Sequence, residues 1–162
     1  MSKFALLIDN LAKTVVGLLF GVLLVVGAAQ VIARYLFNAP LDWSEELLKF
    51  AHIWLVFMAI PIAYDRGSHI CVDMVLLHTP KVWQSFFAVV VNLLWLGFSI
   101  LFIYYTWVIM GVSSQQTSPA LLIPMSYVYF GVVLGTAYLF FCAIRRLYRT
   151  FFTGITGQEG QS

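Results

Sequence analysis

Two aspartates and two histidines, Asp65, His69, Asp73 and His78, lie close together in the sequence and are of types that could hold a metal ion. His69 lies four residues from both Asp65 and Asp73, a spacing that places side chains on one face of a helix. Gly67 interrupts that helix, and neither a thiolate pair nor an HExxH motif strengthens the case for a metal. We therefore expect no metal site, and we interpret this stretch as a polar turn.

A haem held by two histidines needs both ligands at a similar depth on facing helices. His52 lies near the start of an apolar segment, whereas His69 and His78 lie in a loop beyond its other end. The sequence therefore predicts no haem and no other cofactor in this chain. It also shows no glycine-rich phosphate loop, no nucleophile with a base and no paired carboxylates inside an apolar segment, so we expect no enzymatic activity.

A second group of polar residues lies where two apolar segments end close together in the sequence. Gln30 and Arg34 are four residues apart, as are Glu45 and Lys49, so each pair shares a helix face. Arg34 can pair there with Glu45 or with Glu46. Two interpretations stay open: a docking patch for a protein partner, or charges solvated by lipid headgroups, since surface ion pairs contribute little free energy.

The distribution of charge determines the class of protein. No Asp, Glu, Lys or Arg occurs between Lys81 and Arg145. With 62% hydrophobic residues, 10% charged residues and a net charge of +2, the composition indicates an integral membrane protein without a nucleic-acid partner. Three of its four apolar segments also lack the interior ionisable residues that a translocated ion needs as partners. We therefore expect that the chain does not move charged solutes by itself.

Four apolar segments are long enough to cross a hydrocarbon core about 30 Å thick. They run from about 14 to 33, 47 to 64, 80 to 110 and 124 to 144. Asp42, with Glu45 three residues later, forms a pattern like a capping box and predicts the start of the second helix. A cleaved signal peptide is the alternative for the first segment, but its apolar run is long for a signal and Asp9 interrupts its basic region.

The predicted fold is an all-α membrane protein with four transmembrane helices in a single domain over residues 1–153. Seven of the nine Lys and Arg residues fall on one side, and the positive-inside rule makes that side, with both termini, cytoplasmic. Residues 70–77 are candidates for a short interfacial helix between the second and third spans. Residues 154–162 are predicted to form a disordered cytoplasmic tail.

Two spans carry small residues at a spacing that favours close helix packing. The first span contains Gly17 and Gly21, and the fourth contains Gly131 and Gly135. Glycines four residues apart let two helix backbones approach closely. We therefore predict that both glycine faces are helix-packing surfaces.

Several short segments carry a family resemblance in the order in which they occur along the chain. They are residues 34–46 (RYLFNAPLDWSEE), 53–57 (IWLVF), 66–73 (RGSHICVD), 116–120 (QTSPA) and 123–125 (IPM). In combination they resemble the small membrane subunit, the DctQ-like component, of tripartite ATP-independent periplasmic (TRAP) transporters. The resemblance covers about Leu11 to Arg149.

This resemblance implies a multi-pass protein of the bacterial inner membrane that belongs to a secondary transporter for organic anions, such as C4-dicarboxylates or sialic acid. It implies two protein partners: a periplasmic substrate-binding protein and a large, DctM-like membrane subunit that uses sodium. The small subunit is then a scaffold for the large one within the lipid bilayer. The outward-facing polar loops supply the candidates for partner docking, which are Arg34, Asp42, Trp43, Glu45, Glu46, Gln116, Ser118 and Pro119.

Two other classes of membrane protein stay open on the residues alone. One is a membrane anchor or cytochrome-b-like subunit of a respiratory complex, which an absorption spectrum of the purified chain would reveal. The other is a self-contained small channel or exporter. The lack of charged residues that could line a pore counts against this second class.

Overall fold

The structure, a computed structural model, describes residues 3–65 and 81–152. Within these residues it contains four long helices: α1 (Lys3–Leu36), α2 (Asp42–Asp65), α3 (Lys81–Ser113) and α4 (Met125–Phe152). Each helix is long and apolar enough to cross a membrane. The predicted all-α, four-span fold is therefore confirmed. The predicted interfacial helix at 70–77 and the predicted tail at 154–162 lie outside the described residues.

The first helix is longer than the apolar run from which it was predicted. It begins at Lys3 rather than near Thr14, and its 34 residues span about 51 Å at ~1.5 Å per residue. The extra turns carry Asp9 and Lys13, whose side chains form an ion pair one turn apart. Such pairs stabilise a helix that continues beyond the hydrocarbon core.

A tight turn separates α1 from α2. Asn38 adopts a positive φ of 50°, which Asn tolerates better than most residues. The Ala39 N–H donates to the Ala33 carbonyl at 3.1 Å and satisfies one of the last carbonyls of α1. The next helix begins at Asp42, as the capping pattern predicts, and the Ser44 hydroxyl donates to the Leu41 carbonyl at 2.6 Å.

The closely packed helix pairs are α1 with α2, α2 with α4, and α4 with α3. The fourth helix therefore lies between α2 and α3. In the most apolar stretch of α4, 44% of the residues are buried inside the chain, whereas none is buried in the corresponding stretch of α1. The buried core contains Tyr64, Leu139, Cys142 and Ala143, against which Trp95 of α3 packs.

Two glycines allow α4 to approach α2 closely. A Cβ atom placed on Gly131 would lie 2.4 Å from Nε1 of Trp54, and one placed on Gly135 would lie 2.4 Å from the carbonyl oxygen of Phe57. Pro61, four residues after Phe57 inside α2, has no N–H to donate to that carbonyl. Glycine at position 135 therefore lets the backbone of α4 occupy the space beside a carbonyl that lacks its usual helical partner.

The glycines of α1 are in a different environment. A Cβ atom placed on Gly17 or Gly21 would meet nothing within 4 Å. Among the described residues, the glycine face of α1 is therefore not closely packed against another helix, although Gly17 lines a groove between α1 and α2. Its role as a packing surface for a partner stays a prediction.

Charged residues lie near the two ends of the bundle, which we name for the segments found there. The loop end contains the α1–α2 turn, residues 37–41, and the α3–α4 loop, residues 114–124. The terminal end contains the start of α1, the end of α2, the start of α3 and the end of α4. These two ends hold most of the polar contacts between helices.

Candidate functional site

The loop end brings together part of the predicted docking group. Oε1 of Glu45 accepts a hydrogen bond from Nε2 of Gln30 at 3.3 Å and lies 3.6 Å from Nη2 of Arg34. The side chains of Arg34 and Glu45 are 54% and 51% exposed, so the ion pair is accessible and contributes little stability by itself. This contact joins the end of α1 to the start of α2 at the surface.

Glu46 contacts a different element. Its Oε1 accepts a hydrogen bond from the backbone N–H of Ala120 at 3.1 Å, and its Oε2 accepts one from the N–H of Leu121 at 2.9 Å. Of the two carboxylates that could pair with Arg34, the structure therefore pairs Glu45 with the arginine. It places the Glu46 carboxylate on the backbone of the α3–α4 loop.

Ser118 makes three hydrogen bonds within that loop. Its N–H donates to the Ile123 carbonyl at 2.9 Å, and its own carbonyl accepts from the Leu122 N–H at 3.1 Å. Its hydroxyl accepts from the Ile123 N–H at 3.2 Å. Because Ser118 is fully buried, it supports the loop from inside and does not present its side chain to a partner.

The other docking candidates lie on the surface of the loop end. Asp42 and Trp43 are exposed at the start of α2, and Gln116 and Pro119 are exposed in the α3–α4 loop. The backbone carbonyl of Gln116 accepts a hydrogen bond from the Met125 N–H at 2.9 Å, which ties the loop to the start of α4. These four side chains are accessible, and their contact with a partner stays a prediction.

Leu122 is a surface residue that the sequence analysis missed. It is 71% exposed and has a φ of 53°, in the left-handed region that branched side chains rarely adopt. No local signal in the run Leu121-Leu122-Ile123 indicates this conformation. It becomes apparent only from the hydrogen bonds that close the loop around Ser118.

The terminal end contains a polar cluster that the sequence analysis did not anticipate. Arg145 forms an ion pair with Asp65, and the two side chains are only 17% and 22% exposed. Nη1 of Arg146 donates to the Tyr64 carbonyl at 2.8 Å, and the guanidinium lies 5.1 Å from the centroid of the Tyr64 ring. These contacts hold the end of α4 against the last turn of α2.

Two tyrosines extend this cluster to the other helices. The Tyr64 hydroxyl donates to Oδ1 of Asn92, and both residues are almost fully buried. The Tyr138 hydroxyl donates to Oδ1 of Asp9 at 3.2 Å, and Lys13 pairs with the other oxygen of that carboxylate. The terminal cluster therefore links all four helices through side-chain contacts, although Nε of Arg145 is buried without a hydrogen-bond partner among the described residues.

The histidines show no cofactor arrangement in the part of the chain that the structure describes. His52 lines a groove between α1 and α2 with Leu23, Leu48, Lys49 and Ile53. No group of three or more His, Cys, Asp or Glu side chains that could hold a metal occurs among residues 3–65 and 81–152. His69 and His78 lie outside these ranges.

Four apolar helices with charged groups near their ends define a multi-pass α-helical membrane protein. Residues 10–153 match the family model described as "Tripartite ATP-independent periplasmic transporters, DctQ component". The chain belongs to this family. Because the family is a component of a transporter and not an enzyme, the expectation of no catalytic activity is confirmed. Membership also favours transport over the respiratory-anchor alternative.

Named relatives agree with this assignment. A Haemophilus influenzae protein named "Putative TRAP transporter small permease protein" is 24% identical over 129 residues, which are 80% of this chain and 80% of that protein. The "C4-dicarboxylate TRAP transporter small permease protein DctQ" of Vibrio cholerae is 29% identical over 99 residues, 61% of this chain and 43% of that protein. The "Sialic acid TRAP transporter permease protein SiaT" of Haemophilus influenzae is 30% identical over 98 residues, 60% of this chain and 16% of that protein.

Proposed function

We propose that this TRAP small permease subunit is a scaffold for a large, DctM-like membrane subunit that imports an organic anion with sodium. The supporting observation is the confinement of charge. Residues 14–33 of α1, 82–113 of α3 and 125–144 of α4 contain no Asp, Glu, Lys or Arg. An ion or anion that crosses the membrane needs polar partners along its path. Those partners and the sodium then belong to the large subunit, and this chain needs no cofactor of its own.

The buried polar side chains of the spans support the same assignment. The carbonyl oxygen of the Asn92 side chain is occupied by the Tyr64 hydroxyl. The Thr136 hydroxyl donates to the Val132 carbonyl at 2.7 Å, and the Ser99 hydroxyl donates to the Leu96 carbonyl at 2.8 Å. These groups satisfy one another or their own helix, as buried polar groups must. They therefore support packing rather than a solute path.

The orientation and the partners complete the proposal. With the terminal end in the cytoplasm of a bacterium and the loop end facing the periplasm, seven of the nine Lys and Arg residues lie inside. The loop end then receives the periplasmic substrate-binding protein. The names of the relatives in Vibrio cholerae and Haemophilus influenzae include C4-dicarboxylate and sialic acid, so we propose a carboxylate of this kind as the imported solute.

Purification and reconstitution test the scaffold role. The tagged chain, extracted from cells that express all components, is expected to carry the large membrane subunit with it. Proteoliposomes that contain both subunits are expected to show sodium-driven uptake when the binding protein is added. Proteoliposomes that contain this chain alone should show none, because its spans offer no polar path. Uptake by the chain alone would overturn the proposal.

Cysteine labelling tests the orientation. A reagent that cannot cross the membrane, applied from outside, is expected to label Ser114→Cys in the loop end but not Ser162→Cys near the carboxyl terminus. The parent chain gives the background from Cys71 and Cys142. Labelling of Ser162→Cys but not of Ser114→Cys would show the opposite orientation, with the proposed docking surface in the cytoplasm.

A further inference from the structure

We propose that Glu46 is a positioning residue, which holds the α3–α4 loop in the orientation that the periplasmic binding protein recognises. This inference rests on the proposed function. Glu45 and Glu46 are adjacent in the sequence but contact different elements. Glu45 lies at the surface with Arg34 and Gln30, whereas Glu46 binds the loop backbone.

The geometry of the Glu46 contact fixes both the orientation of the α3–α4 loop and its distance from α2. Two consecutive backbone N–H groups, those of Ala120 and Leu121, donate to separate oxygens of one carboxylate at 3.1 and 2.9 Å. Paired hydrogen bonds to an ionised group are stronger and more directional than a single neutral bond. Because both donors belong to the backbone, the contact orients the loop as a unit rather than one side chain.

This contact joins the loop to α2 by hydrogen bonds. The other hydrogen bonds of the loop join residues 113–125 to one another, as in the bonds from Gln116 to Ser113 and from Met125 to Gln116. These bonds define the shape of the loop and tie it to the end of α3 and the start of α4, but they do not reach α2. In the described part of the chain, Glu46 accepts the hydrogen bonds that join this loop to α2.

The loop exposes an apolar side chain, that of Leu122, on a strained backbone. Leu122 is 71% exposed and has a φ of 53°. A branched residue in this conformation persists only when its surroundings determine it, and such residues are concentrated at functional sites. A surface that is already ordered binds a partner without the entropic cost of ordering at each encounter. The loop end faces the periplasm in the proposed orientation, so the partner that fits is the soluble binding protein.

A spin label in the loop tests the contact directly. We would attach the label at Thr117→Cys, an exposed position, in the full chain with Cys71→Ser and Cys142→Ala, and place the chain in lipid nanodiscs. Glu46→Ala is expected to add a mobile component to the label's spectrum, whereas the matched control Glu45→Ala leaves the spectrum unchanged. Glu46→Gln keeps one acceptor oxygen and is expected to be intermediate. An unchanged spectrum in Glu46→Ala overturns the inference.

Uptake measurements test whether the orientation of the loop matters to the partner. In proteoliposomes with the large subunit, Glu46→Ala is expected to raise the half-saturating concentration of binding protein about tenfold, because docking must first order the loop. The maximal uptake rate should stay within about twofold, because transport itself occurs in the large subunit. A mobile label with an unchanged titration curve overturns the role in docking. If the unmodified complex shows no uptake, the proposed function fails, while the nanodisc spectra still decide whether Glu46 holds the loop.

Discussion

The first and last helices carry the same glycine spacing but use it differently. In α4, added Cβ atoms on Gly131 and Gly135 would meet Trp54 and Phe57 of α2 at 2.4 Å. In α1, the same operation on Gly17 and Gly21 meets nothing within 4 Å. The difference is the neighbour and not the motif. A small-residue pair shows where close approach is allowed, but the surface opposite decides whether it occurs.

Charged residues at the ends of the same two helices show a parallel difference. The ion pair between Arg145 of α4 and Asp65 is about one-fifth exposed, whereas the pair between Arg34 of α1 and Glu45 is about half exposed. Electrostatic contacts strengthen as solvent is excluded, but an orphaned charge then also costs more. We therefore expect α4 to determine the stability of the bundle and α1 to contribute more to contacts outside the chain.

The largest effect is expected at Gly135. In Gly135→Val the new Cβ would overlap the Phe57 carbonyl, a backbone atom that cannot rotate away. The helices must separate, which should lower the free energy of unfolding by about 3 kcal/mol, the upper part of the usual range for overpacking. The thermal melting of the purified chain in detergent measures this loss. Gly21→Val is the matched control, and equal melting temperatures for the two variants would contradict the contrast between α4 and α1.

Breaking the terminal ion pair should give the next effect. Arg145→Leu leaves the Asp65 carboxylate partly buried without its cation, which should cost about 2 kcal/mol, less than a fully buried pair because some solvent reaches it. Arg34→Leu, at the exposed pair, should cost less than about 1 kcal/mol. The double variant Asp65→Leu with Arg145→Leu should recover part of the loss. The melting temperatures of these variants measure the losses of stability. Equal losses for Arg145→Leu and Arg34→Leu would show that burial of the ion pair does not set its contribution.

A smaller effect is expected at Gly131. The atom that a new Cβ would meet belongs to the Trp54 side chain, which can move, so Gly131→Ala should cost about 1 kcal/mol. Replacing the ring in the same chain, as Trp54→Leu, should relieve the overlap. A double-mutant cycle of melting temperatures measures this coupling. Additive losses would show that the ring is not the source of the cost.

The smallest effect on stability is expected on the glycine face of α1. Gly17→Leu with Gly21→Leu should change the free energy of unfolding by less than about 0.5 kcal/mol, because a Cβ atom at either position would meet nothing within 4 Å. If the face packs against the large subunit, the yield of that subunit in a copurification should fall. Val22→Leu, on a neighbouring exposed face of α1, is the matched control. Full yield from the double variant would assign the face to lipid.

The spans were predictable from the sequence because their signal is local. An apolar run of sufficient length marks a crossing wherever its partner helices lie, and the pattern at Asp42 marked the start of α2. The start of α1 was less predictable. The apolar run begins near Thr14, but the helix continues outward to Lys3, where Asp9 is held by Lys13 and Tyr138. The apolar run therefore indicates which part of α1 crosses the lipid, but it does not mark the first residue of the helix.

The polar contacts between helices could not be read from the sequence. Asp9 and Tyr138 are 129 positions apart, and Glu46 and Ala120 are 74 apart, so tertiary packing alone brings them together. The residue types gave no better indication, since Arg34 had two adjacent carboxylates within reach and the structure assigns them different partners. The sequence therefore grouped these polar residues at one end of the bundle but did not reveal their individual contacts, and their role in docking stays a prediction.

The order in which the helices pack has a consequence for how the chain is made. Helices enter the membrane in chain order, and α1 finds its close neighbour, α2, as soon as the second helix is inserted. The third helix has its main neighbour in α4, which is synthesised last. We therefore expect α3 to remain surrounded by lipid until α4 is inserted, because α4 contacts both α2 and α3. From this order we expect a hairpin of α1 and α2 to form first and a single closing step to follow when α4 is inserted.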